Sequence, residues 1–210
     1  MKEIFNQLKT FSIIPVVKIN HSDTAIDLAK ALSRGGLPVA EITFRTDAAE
    51  ESIRLIVQNV PEVCVCAGTI LTVENAKRAV DAGASMLISP GTNPKVVTWC
   101  LDHNVAIIPG CATPSDVEAC MEFGLDVVKL FPAEILGGVK MLKALSGPYS
   151  NMMFMPTGGI SAANVSEYLA LKNVIACGGS WMVPEKAIDS HEFDKIEEWT
   201  RLAVECIRPA

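Results

Sequence analysis

The chain has 210 residues, half of them apolar and a fifth charged, which is the composition of a globular domain with one large core. The formal net charge is -6, and the lysines and arginines are scattered, so the sequence lacks the basic stripe that nucleic acids or anionic membranes require. The amino end is charged and no apolar run approaches the roughly 20 residues of a membrane span, so we expect a cytoplasmic protein with neither kind of partner.

Short runs rich in Val, Ile and Ala recur along the chain, and each is followed by a segment with helical periodicity. Their starts lie 20 to 27 residues apart, which fits one strand and one crossover helix per unit. The predicted strands span residues 13–19, 39–44, 63–69, 86–91, 106–110, 127–132, 154–159 and 174–180. Eight such units favour an α/β fold with one domain over residues 1–210, a (β/α)8 TIM barrel.

Helix boundaries between these strands are marked by capping residues and by glycines. Predicted starts are at Ser22, Thr72, Thr113 and Ser161, and predicted stops are at Gly35, Gly83 and Gly124. We also expect a short helix in the first ten residues, whose Ile4, Phe5 and Leu8 would cap the barrel bottom, and an eighth helix over residues 191–207.

Polar residues gather where the predicted strands end, and in a barrel those carboxyl ends meet at one mouth. Side chains alternate along a strand, so Glu41 and Arg45 share one face of the second strand. The same rule places Lys129 and Phe131 together on the sixth strand. A carboxylate, a guanidinium and an amine are therefore predicted to point into the mouth.

Lys129 interrupts the run V-V-K-L-F-P-A-E, which otherwise indicates a buried strand. Apolar neighbours disfavour an ammonium ion and favour the neutral, nucleophilic amine. The alternative is structural: a salt bridge with Glu41, or a side chain that reaches solvent. Lys18 also ends a predicted strand, and spacing alone does not choose between the two lysines.

Two glycine pairs follow the last two strands, in T-G-G-I at 157–160 and C-G-G-S-W at 177–181. Loops in these positions of a barrel commonly bind phosphate, because glycine lets backbone N–H groups approach the anion. The sequence contains neither G-x-x-x-x-G-K-[ST] nor G-x-G-x-x-G, so a nucleoside triphosphate or a dinucleotide is not expected.

Metal catalysis has little support in the sequence. The three histidines, His21, His103 and His191, fall in or beside predicted helices. The seven cysteines form no C-x-x-C pair and are expected to be reduced, and we interpret Cys64 and Cys66 as small buried hydrophobes.

The segments G-L-P-V-A-E-I-T-F-R at 36–45 and G-L-D-V-V-K-L-F-P-A-E at 124–134 carry a family resemblance. Further matches are A-G-T-I at 67–70, I-S-P-G at 88–91, P-T-G-G-I at 156–160 and G-G-S-W at 178–181. With these motifs the chain resembles the class I 2-dehydro-3-deoxy-6-phosphogluconate (KDPG) aldolases, which often also act as 4-hydroxy-2-oxoglutarate (KHG) aldolases. The likeness runs along nearly the whole chain.

The resemblance implies a role for each matching residue. Lys129 would form the Schiff base and Glu41 would be the general base. The substrate-binding residues would be Arg45 and Thr69 at the keto-acid end, Pro90 and Phe131 around the pocket, Thr157 along the sugar chain, and Gly158, Gly159, Gly179 and Ser180 at the phosphate. The family also implies a phosphorylated 2-keto acid substrate, a homotrimer, and no metal or organic cofactor.

Three alternatives stay open at this point. The chain could be another phosphate-binding barrel, an isomerase or synthase in which Glu41 is the base and Lys129 only its electrostatic partner. It could belong with the phosphogalactonate aldolases, although E-I-T-F-R-T and G-G-S-W resemble the gluconate type. It could also be a sugar-phosphate binding protein without catalysis. The physiological substrate is left open as well.

Overall fold

The computed structural model describes residues 2–207, in which parallel strands alternate with helices. The strands are β1 (Ile13–Val17), β2 (Val39–Thr43), β3 (Cys64–Gly68), β4 (Met86–Ile88), β5 (Ile107–Ile108), β6 (Gly110–Cys111), β7 (Val127–Leu130), β8 (Met153–Pro156) and β9 (Cys177–Gly179). The helices are α1 (Lys2–Phe11), α2 (Ala25–Arg34), α3 (Ala49–Asn59), α4 (Val73–Asp81), α5 (Pro94–Asp102), α6 (Pro114–Glu122), α7 (Gly138–Ser146), α8 (Val165–Leu169), α9 (Glu185–Asp189) and α10 (Phe193–Glu205), with a 3-10 turn at Ser22–Thr24.

The strands form two parallel sheets. Six strands make a half-barrel in the order β5-β4-β3-β2-β1-β9, and three make a small sheet in the order β6-β7-β8. Glu41 of β2 lies in register between Val16 of β1 and Cys66 of β3. Lys129 of β7 lies between Gly110 and Met155 in the small sheet. The two residues singled out in the sequence therefore belong to different sheets.

The prediction of a closed eight-stranded TIM barrel is wrong. The predicted fifth strand, 106–110, is divided at Pro109, and β5 pairs with β4 whereas β6 pairs with β7. Proline has no backbone N–H to donate, so a strand that contains it tends to be interrupted there. On the other side, two isolated bridges join the region of β8 to the region of β9. Phe154 of β8 pairs with Val174, and Thr157, just after β8, pairs with Gly178 of β9. The α/β alternation is correct, but the sheet is not continuous.

Several helix boundaries agree with the capping residues seen in the sequence. The hydroxyl of Thr72 accepts a hydrogen bond from the N–H of Asn75 at the start of α4. Thr113 and Asp116 form a reciprocal capping box at the start of α6. Ser161 is different, because α8 begins only at Val165. Gly36, Gly83 and Gly124 follow helix ends with positive φ angles of 94°, 101° and 73°.

A single cluster of buried apolar side chains extends from Leu8 of α1 to Ala203 of α10. Leu8 is fully buried, while Ile4 and Phe5 pack against the cluster, as the prediction for the first ten residues required. None of the helices within residues 2–207 is both long enough and apolar enough to cross a membrane. One domain over residues 1–210 stays a prediction.

The capping box of α6 gives a test of local stability. Thr113→Ala removes the side chain that satisfies the N–H of Asp116, so the free energy of unfolding should fall by about 1 kcal/mol. Urea denaturation followed by circular dichroism measures it. Thr98→Ala is the control, because Thr98 is exposed within α5 and its side chain makes no hydrogen bond in residues 2–207. Equal stability of the two variants would contradict the role of the cap.

Candidate active site

A buried ion pair joins the two sheets. Lys129 Nζ of β7 donates a hydrogen bond to Glu41 Oε1 of β2 across 3.2 Å. The Lys129 side chain is 6% exposed and that of Glu41 is 1% exposed. The other carboxylate oxygen, Oε2, is buried and has no hydrogen-bond partner in residues 2–207. An unpaired buried carboxylate oxygen is costly, so this atom is positioned to take a proton or a hydrogen bond from a bound molecule.

Aromatic and glycine neighbours shape the space around this pair. Lys129 Nζ lies 5.4 Å from the centre of the Phe131 ring, in a cation–π arrangement. A Cβ on Gly68 would lie 2.3 Å from Glu41 Oε1, so only glycine leaves room for the carboxylate. A Cβ on Gly110 would lie 2.1 Å from the carbonyl oxygen of Pro90, which brings Pro90 against the strand beside Lys129. Phe131 and the segment around Pro90 therefore lie near Lys129, and their role as walls of a substrate pocket stays a prediction.

Arg45 is held at the exposed end of β2. Its Nε donates to Thr43 Oγ1 at 3.0 Å, and the Thr43 hydroxyl donates to the carbonyl oxygen of Val17 at 2.7 Å. Thr43 is buried, whereas Arg45, two residues after the end of β2, is exposed and so lies further out than Glu41. The chain of hydrogen bonds leaves the guanidinium facing solvent, where it can meet an anion.

Lys18 has a different environment from Lys129. Its Nζ forms a short ion pair with Glu185 Oε1, and the Lys18 side chain is 32% exposed. Asn20 Nδ2 donates to Glu185 Oε1 and to Asp189 Oδ2, each at 2.9 Å. The hydrogen bond from Lys18 lowers the pKa of Glu185, followed in importance by the one from Asn20. Lys18 is therefore partly exposed and paired with a carboxylate that reaches solvent, whereas Lys129 is buried against Glu41.

The two glycine loops carry backbone donors without acceptors. Gly158 and Gly159 have positive φ angles of 99° and 83°. Within residues 2–207, no acceptor takes the N–H groups of Gly159, Ile160 or Ser180. Such loops suit an anion, because consecutive N–H groups can point at it.

Side chains beside these loops also have defined positions. Thr157 Oγ1 is buried and lacks a partner among the described residues. A Cβ on Gly179 would lie 2.0 Å from the Trp181 ring, so Trp181 packs against this loop. Ser180 is exposed beside it.

The structure brings together some of the predicted residues by direct contact and others only by their place on the same edge. Lys129 contacts both Glu41 and the partly buried Phe131 ring, and Thr157 is bridged to Gly178. Thr69 follows β3 with a positive φ of 59° and is partly buried. No hydrogen bond in residues 2–207 joins Thr69, Arg45 or Ser180 to the ion pair. Their roles in binding stay predictions.

Sequence reasoning missed several residues that support the site. Gly68 and Gly110 stood in quoted motifs, but the need for glycine there follows from contacts with Glu41 and Pro90 that the sequence does not reveal. The partner of Lys18, Glu185, is 167 residues away along the chain. Its position shortly after the last glycine pair was the one available signal.

The thiols near the site act as apolar groups. Cys64 and Cys66 are buried in β3, as predicted, and a hydrogen bond with Cys64 together with burial raises the pKa of Cys66. Cys66 is therefore a neutral thiol beside Glu41. Residues 2–207 contain no cluster of three His, Cys, Asp or Glu side chains that could hold a metal ion. Catalysis without a metal stays a prediction.

A cavity of about 480 Å³ lies at the opposite end of the strands. It is bordered by Ile4 and Gln7 of α1 and by Ser85 and Val105, which precede β4 and β5. It contains no titratable side chain, whereas the carboxyl ends of the strands carry the ion pair and the glycine loops. The ion pair and the glycine loops thus lie away from this cavity.

Comparison with known proteins gives one consistent family. Residues 4–199 match the family described as "Aldolase: KDPG and KHG aldolase". A 2-dehydro-3-deoxy-phosphogluconate aldolase of Treponema pallidum is 48% identical over 93% of each chain. One of Haemophilus influenzae is 44% identical over 99% of this chain and 98% of its own.

Solved structures agree with the sequence relatives. A KDPG aldolase from Legionella pneumophila, with pyruvate captured at low pH as a covalent carbinolamine intermediate, superimposes with a TM-score of 0.90 at 38% identity. The match covers 94% of this chain and 96% of that one. The resemblance noted in the sequence is thereby confirmed: the chain belongs to the KDPG and KHG aldolase family.

Proposed function

We propose that the Lys129–Glu41 pair is the catalytic centre of a class I aldolase that cleaves 2-dehydro-3-deoxy-6-phosphogluconate to pyruvate and glyceraldehyde 3-phosphate. Lyase activity of the class I pyruvate aldolase type follows from the family to which the chain belongs. The assignment of this activity to particular residues is our proposal.

One observation carries the assignment. The amine of Lys129 lies 3.2 Å from Glu41 Oε1, and Glu41 Oε2 is buried and has no partner within residues 2–207. A salt bridge made only for stability would be expected to satisfy both oxygens, because burial of a charged pair repays its desolvation only with further hydrogen bonds. The spare oxygen leaves a base beside a nucleophile, which is the arrangement that Schiff-base cleavage needs.

The first half of the reaction builds an electron sink. Glu41 takes a proton from the ammonium of Lys129, and the neutral amine attacks C2 of the 2-keto acid. The resulting carbinolamine takes a proton from Glu41 on its hydroxyl and loses water. This leaves an iminium between Nζ and C2, and Glu41 is a carboxylate again. The iminium withdraws electrons from the C3–C4 bond, which lies next to it.

The second half breaks that bond. Glu41, directly or through a water molecule, takes the proton of the C4 hydroxyl, and the C3–C4 electron pair moves into the iminium. Glyceraldehyde 3-phosphate leaves with its new aldehyde, and an enamine stays on Lys129. Protonation of C3 and addition of water then release pyruvate and restore the amine.

Binding groups stand on two sides of the centre. We assign Arg45 and Thr69 to the carboxylate of the keto acid, with Pro90 and Phe131 as walls of the pocket. Thr157 Oγ1, which is buried and unpaired, is supplied with a partner when a substrate hydroxyl reaches it. We assign the N–H groups of Gly158, Gly159 and Gly179, and Ser180, to the phosphate.

The same centre accounts for a second substrate. Cleavage of 4-hydroxy-2-oxoglutarate by the same steps gives pyruvate and glyoxylate, and it uses the pyruvate half of the site without the phosphate loops. The family description names both activities. We therefore propose both for this chain, with the phosphate loops as the source of any preference.

Assembly and location are also proposals. We propose a homotrimer, which the family resemblance implies, and the exposed apolar side chains Leu71 and Ile135 are of the kind that a subunit contact covers. Sedimentation equilibrium measures the state. We propose the cytoplasm as its location, supported by seven free cysteines.

Trapping with pyruvate tests the nucleophile. Incubation with pyruvate and borohydride should reduce the iminium to a stable secondary amine, and peptide mass analysis should place it on Lys129 in wild type. Lys18→Met, the matched control, should give the same adduct, because Lys18 is paired with Glu185. The yield should not change in EDTA. An adduct on Lys18, or none, would contradict the mechanism, and none would favour an isomerase, a synthase or a binding protein.

Glu41→Gln tests the base. Gln keeps the size of the side chain but takes no proton, so cleavage should fall by about 10²- to 10⁴-fold while the adduct with pyruvate still forms slowly. Stopped assays of pyruvate release measure it. Glu185→Gln, which removes an exposed carboxylate nearby, should stay within about twofold of wild type. Wild-type turnover by Glu41→Gln would remove Glu41 from the mechanism.

Ser180→Ala tests the phosphate end. Loss of a hydrogen bond to a charged group costs about 1.5–3 kcal/mol, so kcat/KM for KDPG should fall roughly tenfold or more. The value for 4-hydroxy-2-oxoglutarate should not change. Ser150→Ala, at an exposed position before β8, is the control. An unchanged ratio between the two substrates would remove Ser180 from the phosphate site.

A further inference from the structure

A tyrosine and a glutamate outside the proposed reaction lie beside the first glycine loop. Tyr168 of α8 is fully buried, and its hydroxyl donates a short hydrogen bond to Glu134 Oε1. Glu134 follows β7, the strand of Lys129, and lies three residues after Phe131. A buried tyrosine hydroxyl needs a partner, and Glu134 supplies it.

Glu134 also lies against the first glycine loop. Its Cγ occupies the space where a Cβ of Gly159 would stand, 2.4 Å away. The N–H of Glu134 donates to the carbonyl oxygen of Gly158 at 3.1 Å, and the N–H of Ala133 donates to that of Thr157 at 2.8 Å. The loop after β7 is thus hydrogen-bonded to the loop after β8 through the backbone, and the Glu134 side chain packs against the latter loop.

The loop is held from its other side by α8 and the residue before it. Asn164 Nδ2 donates to the carbonyl oxygen of Gly159 at 3.0 Å, and Asn164 Oδ1 accepts the N–H of Ser161 at 2.8 Å. Tyr168 lies four residues further on. Its hydroxyl leaves no room for a Cβ on Gly138, which would be 2.6 Å away. Burial and the bond to Glu134 raise the pKa of Tyr168, so its hydroxyl keeps its proton and stays a donor.

We infer that Glu134 and Tyr168 are positioning residues that hold the Gly158–Gly159 loop in the conformation that binds phosphate, and so set the preference for phosphorylated substrates. Neither residue needs to touch the substrate. The hydrogen bond from Tyr168 fixes the orientation of the Glu134 carboxylate. The methylene groups of Glu134 then support the loop whose N–H groups would face the anion. This inference rests on the proposed function.

The pyruvate half of the site should not depend on this contact. Lys129 and Glu41 are fixed by strands β7 and β2, and no hydrogen bond in residues 2–207 joins them to Glu134 or Tyr168. A loosened glycine loop should therefore weaken phosphate binding without slowing attack on the keto group. A merely structural role would instead lower both activities together.

Tyr168→Phe tests the inference. The variant keeps the buried ring and removes the hydrogen bond. KM for KDPG and the inhibition constant of inorganic phosphate should therefore each rise about tenfold. Three quantities should change less than twofold: kcat for KDPG, kcat/KM for 4-hydroxy-2-oxoglutarate and the rate of pyruvate adduct formation. Tyr149→Phe is the matched control. Tyr149 lies in the loop before β8 and donates to Glu118 at 2.9 Å, so this variant also loses a tyrosine hydrogen bond but should leave all values unchanged.

Two variants of Glu134 separate position from charge. Glu134→Gln keeps an oxygen that accepts from Tyr168, and it should keep the substrate preference. Glu134→Leu keeps the stem over Gly159 but loses the acceptor, so it should behave as Tyr168→Phe does. Glu134 is exposed, so both variants are expected to fold even where Tyr168→Phe does not.

The outcomes distinguish this inference from the proposed function. A wild-type protein that forms no pyruvate adduct and cleaves neither substrate would overturn both. A wild type that forms the adduct and cleaves, with a substrate ratio unchanged in Tyr168→Phe and Glu134→Leu, would overturn only the positioning role. An equal loss for both substrates would also overturn it, because the contact would then support the fold alone.

Discussion

The site depends on one ion pair placed between two sheets. Lys129 and Glu41 are both buried and 88 residues apart along the chain, and their contact joins the small sheet to the half-barrel. A charge buried without its partner costs several kcal/mol, so neither residue can be lost or displaced cheaply. The neighbours follow from this constraint: Gly68 must leave room for the carboxylate, and a partly buried Phe131 ring faces the amine.

Strand periodicity predicted this centre from the sequence. Alternation along 39–44 and 127–132 placed Glu41 and Lys129 on inward faces, and the structure confirms that their side chains meet. The structural alternative, a salt bridge between the two, describes the same contact. Two observations favour the catalytic interpretation that we propose: Glu41 Oε2 has no partner in residues 2–207, and the chain belongs to an aldolase family. Strand spacing reveals neither of them.

Other features required long-range geometry. Eight apolar runs indicated eight strands, but the effect of Pro109 on sheet continuity depends on which neighbour each half of that strand meets. Likewise, Tyr168 lies in none of the quoted motifs, and Glu134 is only the last residue of the quoted run at 124–134. Their contact spans 34 residues and two loops, and nothing local to either residue predicts it.

The two halves of the site are built in different ways, and this difference matters for substrate choice. Strands hold Lys129 and Glu41, and strand backbones leave little freedom for their side chains. The proposed phosphate end consists of glycine loops, and the first of them has positive φ angles at Gly158 and Gly159. This loop is supported from outside by Asn164 and Glu134. We therefore expect the sheets to fix the chemistry at the keto group. In our proposal, the preference for a phosphorylated aldehyde half depends on loop contacts that can change without disturbing the nucleophile.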